Sequence, residues 1–377
     1  MKNFFMMLAM VAFVATSCSK DDAPQNKTAS SQKSVKFSLE NVISTRGVDA
    51  MIPSSTRVVL NDCQVFFVGG DGSLYTGKNS DGSADATQYF TTAPTGTLAF
   101  HFLPAAVQKV VVVGNYGSKI NPANLNAIKA IATEASAQQD DANLLVYGEA
   151  TLVAMTDDGH GNTYKAEVSV KPLVSRIEVG GFICDFSDQP LYDQINITML
   201  ALNNYYGNAT IGGTLSNYSS TAITSSSVYP FFNDTTAPAY SKDVVSGVSL
   251  TPAAPSVDFN KEDQYIVYHT FAGDIPQLVV RIAGHKDGVE SPLYLATSAF
   301  YDGTTKIESF EAGKVYRMKF NGENRFAFDD TDLNQPEKCV EVTIAALTCT
   351  TDLRKTRTPK SCSLPLLRAS KGLGGIF

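Results

Sequence analysis

Short stretches in which apolar and polar residues alternate recur along this chain, and they constrain its fold most strongly. They comprise residues 35–40, 164–170, 314–320 and 339–344. Alternation with a period of two is typical of a β-strand that buries one face and exposes the other to water. Continuous apolar runs at 65–68, 110–113 and 278–280 predict central strands that are covered on both faces.

Turn residues separate these stretches. Glycine stands beside Asp, Asn or Ser at 70–73, 157–162, 302–303 and 321–322, and it supplies the positive φ angles that tight hairpins need. Only residues 122–139, which are rich in Ala, Ile, Leu and Asn, favour a helix, and we expect it on the surface. Many short strands with regular turns and one helix predict an all-β chain built from β-sandwiches.

Composition narrows both the domain count and the function. The chain has 377 residues, a net charge of −7 and a sequence pI near 5.2. An acidic protein lacks the basic face that nucleic acid requires, so we expect no nucleic-acid partner. The length is typical of two domains. Pro172 marks the expected boundary, because it ends one strand just before the next one begins at 173–179.

The N-terminus has the pattern of an export signal. A single lysine precedes an apolar run at 4–15, and small residues lead from this run to Cys18. The run is shorter than the roughly 20 residues of a membrane-spanning helix. The segment before the cysteine resembles a bacterial lipobox, so we expect a signal peptide at 1–17 and a lipid on Cys18 that anchors the precursor in the outer membrane. The alternative is an ordinary signal peptide followed by an incidental cysteine.

The other cysteines and the histidines form no recognisable pattern. The cysteines are an odd number without CxxC spacing, which does not indicate a disulfide framework; they are Cys63, Cys184, Cys339, Cys349 and Cys362. The histidines lack the spacing of paired metal ligands; they are His101, His160, His269 and His285. We expect His101 to be an ordinary strand residue and the chain to need no metal or cofactor.

Catalytic motifs are also missing from the sequence. It contains no GxSxG, GxxxxGK[ST] or GxGxxG pattern. Residues 157–159 suggest a calcium loop, but Val168 stands where the loop needs its last glutamate, so we expect a hairpin turn there. Asp329 and Asp330 stand in a polar loop, where nothing would shift the pKa of a glycosidase carboxylate. The sequence therefore predicts a protein that is not an enzyme.

Several segments, taken in order, resemble one family of bacterial surface proteins. They are residues 34–39 with 44–47, 62–68 with 70–74, 173–179, 310–316 and 339–346. Together with the lipobox they resemble the precursor of a Bacteroidales fimbrillin, the FimA-like major or minor subunit of type V pili. The resemblance covers nearly the whole chain, as far as about Leu347.

This resemblance implies two tandem transthyretin-like β-sandwich domains that assemble by donor-strand exchange. An Arg-specific protease would cut after Arg46, or alternatively after Arg57, and the first strand would leave with its lipid. The lost strand would expose unpaired backbone groups and apolar rows, which a strand of a neighbouring subunit could cover. The candidate donor face is Val340, Val342, Ile344 and Ala346, although this strand could instead complete its own sheet.

The expected organisation follows from these features. It comprises a signal peptide at 1–17, a lipidated propeptide with the first strand at 18–46, an N-terminal sandwich with the surface helix at 47–172, a C-terminal sandwich with the candidate donor strand at 173–348, and a tail at 349–377. The tail is basic and departs from a fimbrillin C-terminus. We interpret it as a reading-frame change near 347–350 or as a variant tail; if the frame has changed, we expect disorder from Thr350 onward and impaired strand donation.

The predicted function is that of a structural subunit of a surface fimbrium that supports adhesion. Its expected partners are other pilin subunits, the outer membrane through the lipid, and an Arg-specific protease. The alternative is a non-polymerising surface lipoprotein that binds a glycan or host ligand through its loops. Residues 203–242, which are rich in Ser, Thr, Asn, Tyr and Gly, are expected to form such exposed loops.

Overall fold

Short β-strands form nearly all of the regular structure. The computed structural model describes residues 32–40, 57–140, 143–156, 162–259, 264–334, 340–348 and 350–352. The predicted signal peptide, Cys18, Arg46, His160 and residues 353–377 lie outside these ranges. Within them the chain is all-β with two short α-helices, which confirms the predicted fold class.

Most strands before residue 173 form two sheets, whereas β2 and β8 pair with strands that come later in the chain. The elements are β1 (Lys33–Glu40), β2 (Arg57–Val59), β3 (Cys63–Gly69), β4 (Leu74–Tyr75), β5 (Tyr89–Phe90), β6 (Leu98–Leu103), β7 (Val107–Gly114), α1 (Leu125–Lys129), β8 (Ala132–Glu134), β9 (Val146–Thr151), β10 (Val153–Ala154), β11 (Thr163–Ser169) and β12 (Lys171–Pro172). One sheet has the order β10-β11-β1-β6, and the other has the order β12-β9-β7-β3-β4 with β5 also paired to β3. Buried side chains of both sheets share one core, so the sheets form a β-sandwich.

The remaining strands form a second, larger set of sheets. They are β13 (Val174–Val179), β14 (Gly181–Asp185), β15 (Gln194–Asn203), β16 (Tyr205–Thr210), β17 (Leu215–Ser219), α2 (Val228–Asn233), β18 (Lys242–Leu250), β19 (Ser256–Asp258), β20 (Ile266–Phe271), β21 (Gln277–Lys286), β22 (Val289–Asp302), β23 (Thr305–Lys306), β24 (Lys314–Met318), β25 (Phe326–Asp329), β26 (Val340–Thr348) and β27 (Thr350–Asp352).

A nine-stranded sheet dominates this second set. Its order is β18-β15-β21-β22-β26-β24-β13-β20, with β23 paired to β22. A three-stranded sheet, β19-β14-β25, shares a second core with it, in which Phe182 and Phe326 lie near Ile177 and Tyr268. Two smaller sheets have the orders β17-β16-β8 and β2-β27. The described residues from Gln32 to Asp352 belong to one compact unit by their contacts, so a division into two domains after residue 172 remains a prediction.

Most of the predicted strands are confirmed. In β1 and β11 the apolar residues are buried and the charged ones between them are exposed, as at Phe37 and Lys36. The apolar runs in β3, β7 and β21 are buried on both faces and have a neighbour on each side. Gly72 and Gly303 take positive φ angles of 83° and 62° in their turns, as hairpins require.

The predicted helix at 122–139 is wrong over most of its length. Only α1 is helical, and Asn124 caps it by accepting a hydrogen bond of 2.9 Å from the Ala127 amide. Strand β8 follows at once and pairs with β16, after which residues 135–138 form a 3₁₀ turn. The pairing with a distant strand overrides the helical preference of this alanine-rich stretch.

The expectation of long loops at 203–242 is also wrong in part. Strands β16 and β17 form a hairpin there, and α2 follows. Helix α2 buries Val228 and Phe232 against Ala201, Val279 and Tyr294, which lie on β15, β21 and β22. The helix exists because these strands leave an apolar face that it covers.

The disorder expected from Thr350 onward after a frame change does not hold for three residues. Residues Thr350–Asp352 form β27, which runs parallel to β2 and pairs Thr350 with Arg57. Residues 353–377 lie outside the described ranges. Among the described residues, no helix is both long and apolar enough to cross a membrane.

Cys63 gives a direct test of the sandwich core. It is buried and free, and burial raises the pKa of its thiol to about 12, with the nearby Asp62 charge contributing. The thiolate is the reactive form, so the native thiol should resist alkylation. We predict that iodoacetamide at mildly alkaline pH labels Cys63 only after urea is added, as read by peptide mass spectrometry. Rapid labelling of the native chain at Cys63 would contradict this packing.

Candidate functional site

The first strand lies in the middle of its sheet. β1 runs parallel to β11 on one side and antiparallel to β6 on the other. Val35 and Phe37 are 0% and 1% exposed. Burying these two side chains contributes about 3–6 kcal/mol, at about 1.5–3 kcal/mol each. The N-terminal strand of the described chain is therefore a structural centre of the first sandwich.

Aromatic contacts connect β1 to the opposite sheet. The Phe37 ring packs edge-on against Phe100 of β6, with ring centroids 6.5 Å apart. Phe100 in turn packs edge-on against Phe67 of β3, at 4.9 Å. Because Phe67 belongs to the facing sheet, removal of β1 would open the core that both sheets share.

Polar contacts fix the start of β1. The Lys33 ammonium donates a hydrogen bond of 2.7 Å to the Val107 carbonyl and lies 4.6 Å from the centre of the Tyr164 ring. The Ser34 hydroxyl lies 3.1 Å from Nδ1 of His101. These contacts specify one register, since a shift by one residue would place each polar group on the wrong face.

A β-bulge in β6 aligns His101 with β1. Lys33 pairs with Leu103 and Val35 pairs with Phe100, so β6 holds one more residue than β1 over this interval. Phe102 takes a positive φ of 58° there and is 40% exposed. His101 is thus a strand residue, as predicted, and the bulge turns its ring toward Ser34.

Only one of the two candidate cleavage sites lies within the described residues. Arg46 lies in the undescribed segment between β1 and β2. The backbone of Arg57 begins β2 and pairs with β27. Val58 and Leu60 follow it, and both are buried in the core that contains β1. Arg57 is thus joined to a packed segment.

The candidate donor strand occupies a place in its own sheet. Strand β26 runs parallel to β22, where Val342 pairs with Phe300, and antiparallel to β24, where Ala346 pairs with Tyr316. The predicted site residues are therefore not brought together within one chain, because β1 and β26 belong to different sheets.

A buried ion cluster beside β26 was missed by the sequence reasoning. Glu178 of β13 is 0% exposed, and its two carboxylate oxygens accept hydrogen bonds of 2.7 and 2.6 Å from Nε of Arg176 and Nε of Arg317. The guanidinium of Arg317 also lies over the Tyr265 ring, at 5.3 Å. The alternation at 314–320 predicted that Arg317 is exposed to water. This is wrong: Arg317 is buried, because the parallel neighbour β13 supplies a buried carboxylate as its partner.

Three other titratable groups of the described residues lie in different parts of the fold. His269 is buried in β20, while His285 accepts or donates a hydrogen bond of 3.0 Å with Asn196. Asp330 is also buried; its carboxylate accepts hydrogen bonds from the Leu191 and Ser187 amides and so holds the loop before β15. Among the described residues, no group of His, Cys, Asp and Glu is arranged to hold a metal ion.

Comparison with known proteins identifies the fold. No protein-family model and no curated protein sequence matches the chain. A solved candidate cell adhesion protein from Bacteroides eggerthii matches 85% of this chain and 97% of its own length, with a TM-score of 0.53 and 14% identity. Another, from Parabacteroides distasonis, matches the same shares with a TM-score of 0.55 and 10% identity. This chain shares their fold.

A solved fimbrilin is a further structural match. A fimbrilin from Porphyromonas gingivalis covers 85% of this chain and 98% of its own length, with a TM-score of 0.46 and 12% identity. The matches to the two candidate cell adhesion proteins concern the fold alone. The predicted likeness to Bacteroidales fimbrillins is confirmed at the level of this fold.

The ion cluster gives a second test of the fold. We predict that Glu178→Gln lowers the free energy of unfolding by about 3–5 kcal/mol, because it leaves two buried guanidinium groups beside a neutral amide. The matched control is Glu167→Gln, which removes an exposed ion pair of 3.4 Å with Lys165 and should cost at most about 1 kcal/mol. Urea titrations measure both. Equal losses would mean that the cluster is not buried.

Proposed function

We propose that this chain is a structural subunit of a surface fimbrium of the type V pilus kind. It is exported as a lipoprotein on Cys18, cut near its N-terminus by an Arg-specific protease, and polymerised by donor-strand exchange. Its partners are other pilin subunits, and its final location is the cell surface. The fold shared with candidate cell adhesion proteins supports this proposal, as do the family resemblance of the sequence and the placement of β1.

The central position of β1 is the observation that carries the proposal. It is the first described strand, and the next described element begins at Arg57. One cut in the intervening segment would therefore detach the centre of a sheet without breaking any other described element. The departing strand would leave β6 and β11 with unpaired backbone groups and would uncover Phe100 and Val168, which creates a groove for a new strand.

The C-terminal segment fits this groove by its residue pattern. Residues 338–344 read Lys-Cys-Val-Glu-Val-Thr-Ile, and residues 33–39 read Lys-Ser-Val-Lys-Phe-Ser-Leu. The lysine and the three apolar positions coincide, and Cys339 stands where the similarly small Ser34 stands. In the exchange that we propose, Lys338 of a second copy takes the place of Lys33 on the Val107 carbonyl, and the new strand runs in the direction of β1.

The structure gives an argument against a cut after Arg57. A protease needs an extended segment that is free of a partner strand, whereas Arg57 pairs with Thr350 and leads into buried residues. A cut at Arg57 would require β2 to separate from β27 first.

The alternative, a surface lipoprotein that does not polymerise and binds a glycan or host ligand, has one observation in its favour. Strand β26 already fills a central place between β22 and β24. Donation requires it to leave that place, whereas the alternative requires no rearrangement. The two functions differ in the fate of the N-terminus, because only the subunit loses Cys18 and β1.

The experiment treats the purified precursor and its Arg46→Ala and Arg57→Ala variants with an Arg-specific protease. We predict that the parent chain and Arg57→Ala are cut after Arg46 and form ladders on an unboiled gel, while Arg46→Ala stays monomeric. N-terminal sequencing of each product locates the cut. An intact N-terminus and no multimers in any of the three samples would refute the proposal and support the alternative.

A further inference from the structure

At one position of β1 a charged residue stands opposite a like charge. Lys36 pairs with Lys165 of β11 on one side and with Ala99 of β6 on the other. Both lysines are exposed, so they lie on the outer side of the sheet, opposite to the buried Val35 and Phe37. Like charges at directly opposite strand positions destabilise the pairing. The charge at this position therefore disfavours the chain's own first strand.

Contacts at the start of the strand determine which residue stands opposite Lys165. The Lys33 ammonium donates its hydrogen bond to the Val107 carbonyl, which belongs to the facing sheet. The Ser34 amide donates a hydrogen bond of 3.1 Å to the Asn162 carbonyl, where the parallel ladder with β11 begins. A strand that enters the groove between β6 and β11 with a lysine in this place puts the third residue after that lysine opposite Lys165.

A second segment of the chain meets this requirement and carries the opposite charge. A lysine with Val, Ile, Leu or Phe as the second, fourth and sixth residues after it occurs only at 33–39 and at 338–344 in the whole sequence. The third residue after the lysine is Lys36 in the first segment and Glu341 in the second. Apart from the initial lysine, neither segment carries another charge. The two strands therefore differ in charge at the one position that faces Lys165.

The surroundings of Lys165 leave room for a carboxylate from the incoming strand. Its ammonium lies 3.4 Å from the Glu167 carboxylate, and both side chains are about half exposed, at 46% and 48%. On its other side Lys165 pairs with Val153 of β10, which carries no charge. The contact with Glu167 does not exclude a second carboxylate, because an ammonium group has three donors.

We propose that Lys165 selects the incoming strand by charge, favouring Glu341 of a second copy over the chain's own Lys36. In the exchanged pair, a cross-strand contact of opposite charges replaces the contact of two lysines, so this position favours exchange over the return of β1. The inference rests on the proposed function, because it names the residue of the groove that recognises the partner strand. It requires no particular natural cleavage site.

The test measures the binding of strands to the full chain after a cut that does not depend on Arg46. A site for a sequence-specific protease is inserted between Glu40 and Arg57, so that β1 can leave. Fluorescent peptides of residues 33–40 and of residues 338–345 with Cys339→Ser are titrated at low ionic strength and followed by anisotropy. Lys36→Glu should bind about fivefold more tightly than its parent peptide, and Glu341→Lys about fivefold more weakly, which is the size of one exposed ion pair.

The decisive variant of the groove is Lys165→Glu. It should reverse both preferences, because it places a carboxylate opposite the incoming strand. The matched control is Lys119→Glu, which changes the net charge equally at an exposed residue between β7 and α1, and it should keep the preferences of the parent chain. High salt should reduce the preferences of the parent chain toward equal binding.

Three results would overturn the inference. They are equal binding within each pair of peptides, preferences that Lys165→Glu leaves unchanged, and a reversal that Lys119→Glu also produces. Absence of binding by every peptide would overturn it as well, because the groove would then not accept a free strand. If these preferences hold but the precursor forms no ladders after treatment with the Arg-specific protease, the proposed function fails and the selectivity of the groove stands.

Discussion

The packing of β1 between β6 and β11 is the interaction on which the first sandwich depends. Val35 and Phe37 fill the space between the two sheets, and Lys33 and Ser34 fix the register at the start of the strand. Strand β1 is the first described strand, and the next described element begins at Arg57.

The opposite end of the described chain has a matching arrangement. Strand β26 lies in the middle of the nine-stranded sheet, between β22 and β24. If β26 leaves, β24 keeps its parallel neighbour β13, to which the Arg317–Glu178 contact joins it. In the proposed exchange, the ion cluster would hold β24 and β13 together, whereas β22 would lose its link to β24.

Local sequence patterns predicted most of the strands, but they did not predict contacts between residues that lie far apart in the sequence. Alternation at 35–40 and 164–170, and the apolar runs in β3, β7 and β21, depend on nearest neighbours, which a sequence displays directly. The burial of Arg317 depends on a carboxylate 139 residues away in the chain. Likewise, β8 replaces a predicted helix because β16 pairs with it. The contact between His101 and Ser34 also requires a bulge that no local pattern marks.

A reversible lock on β26 tests strand exchange most directly. Lys314 and Thr348 are partners at the end of the β24–β26 ladder, so a cysteine at each position should form a disulfide. The variant also carries Cys339→Ser and Cys349→Ser. After cleavage, the account predicts no ladders from the oxidised chain and full ladders once dithiothreitol is added. Equal polymerisation in both states would contradict it, because β26 would then not be the donor.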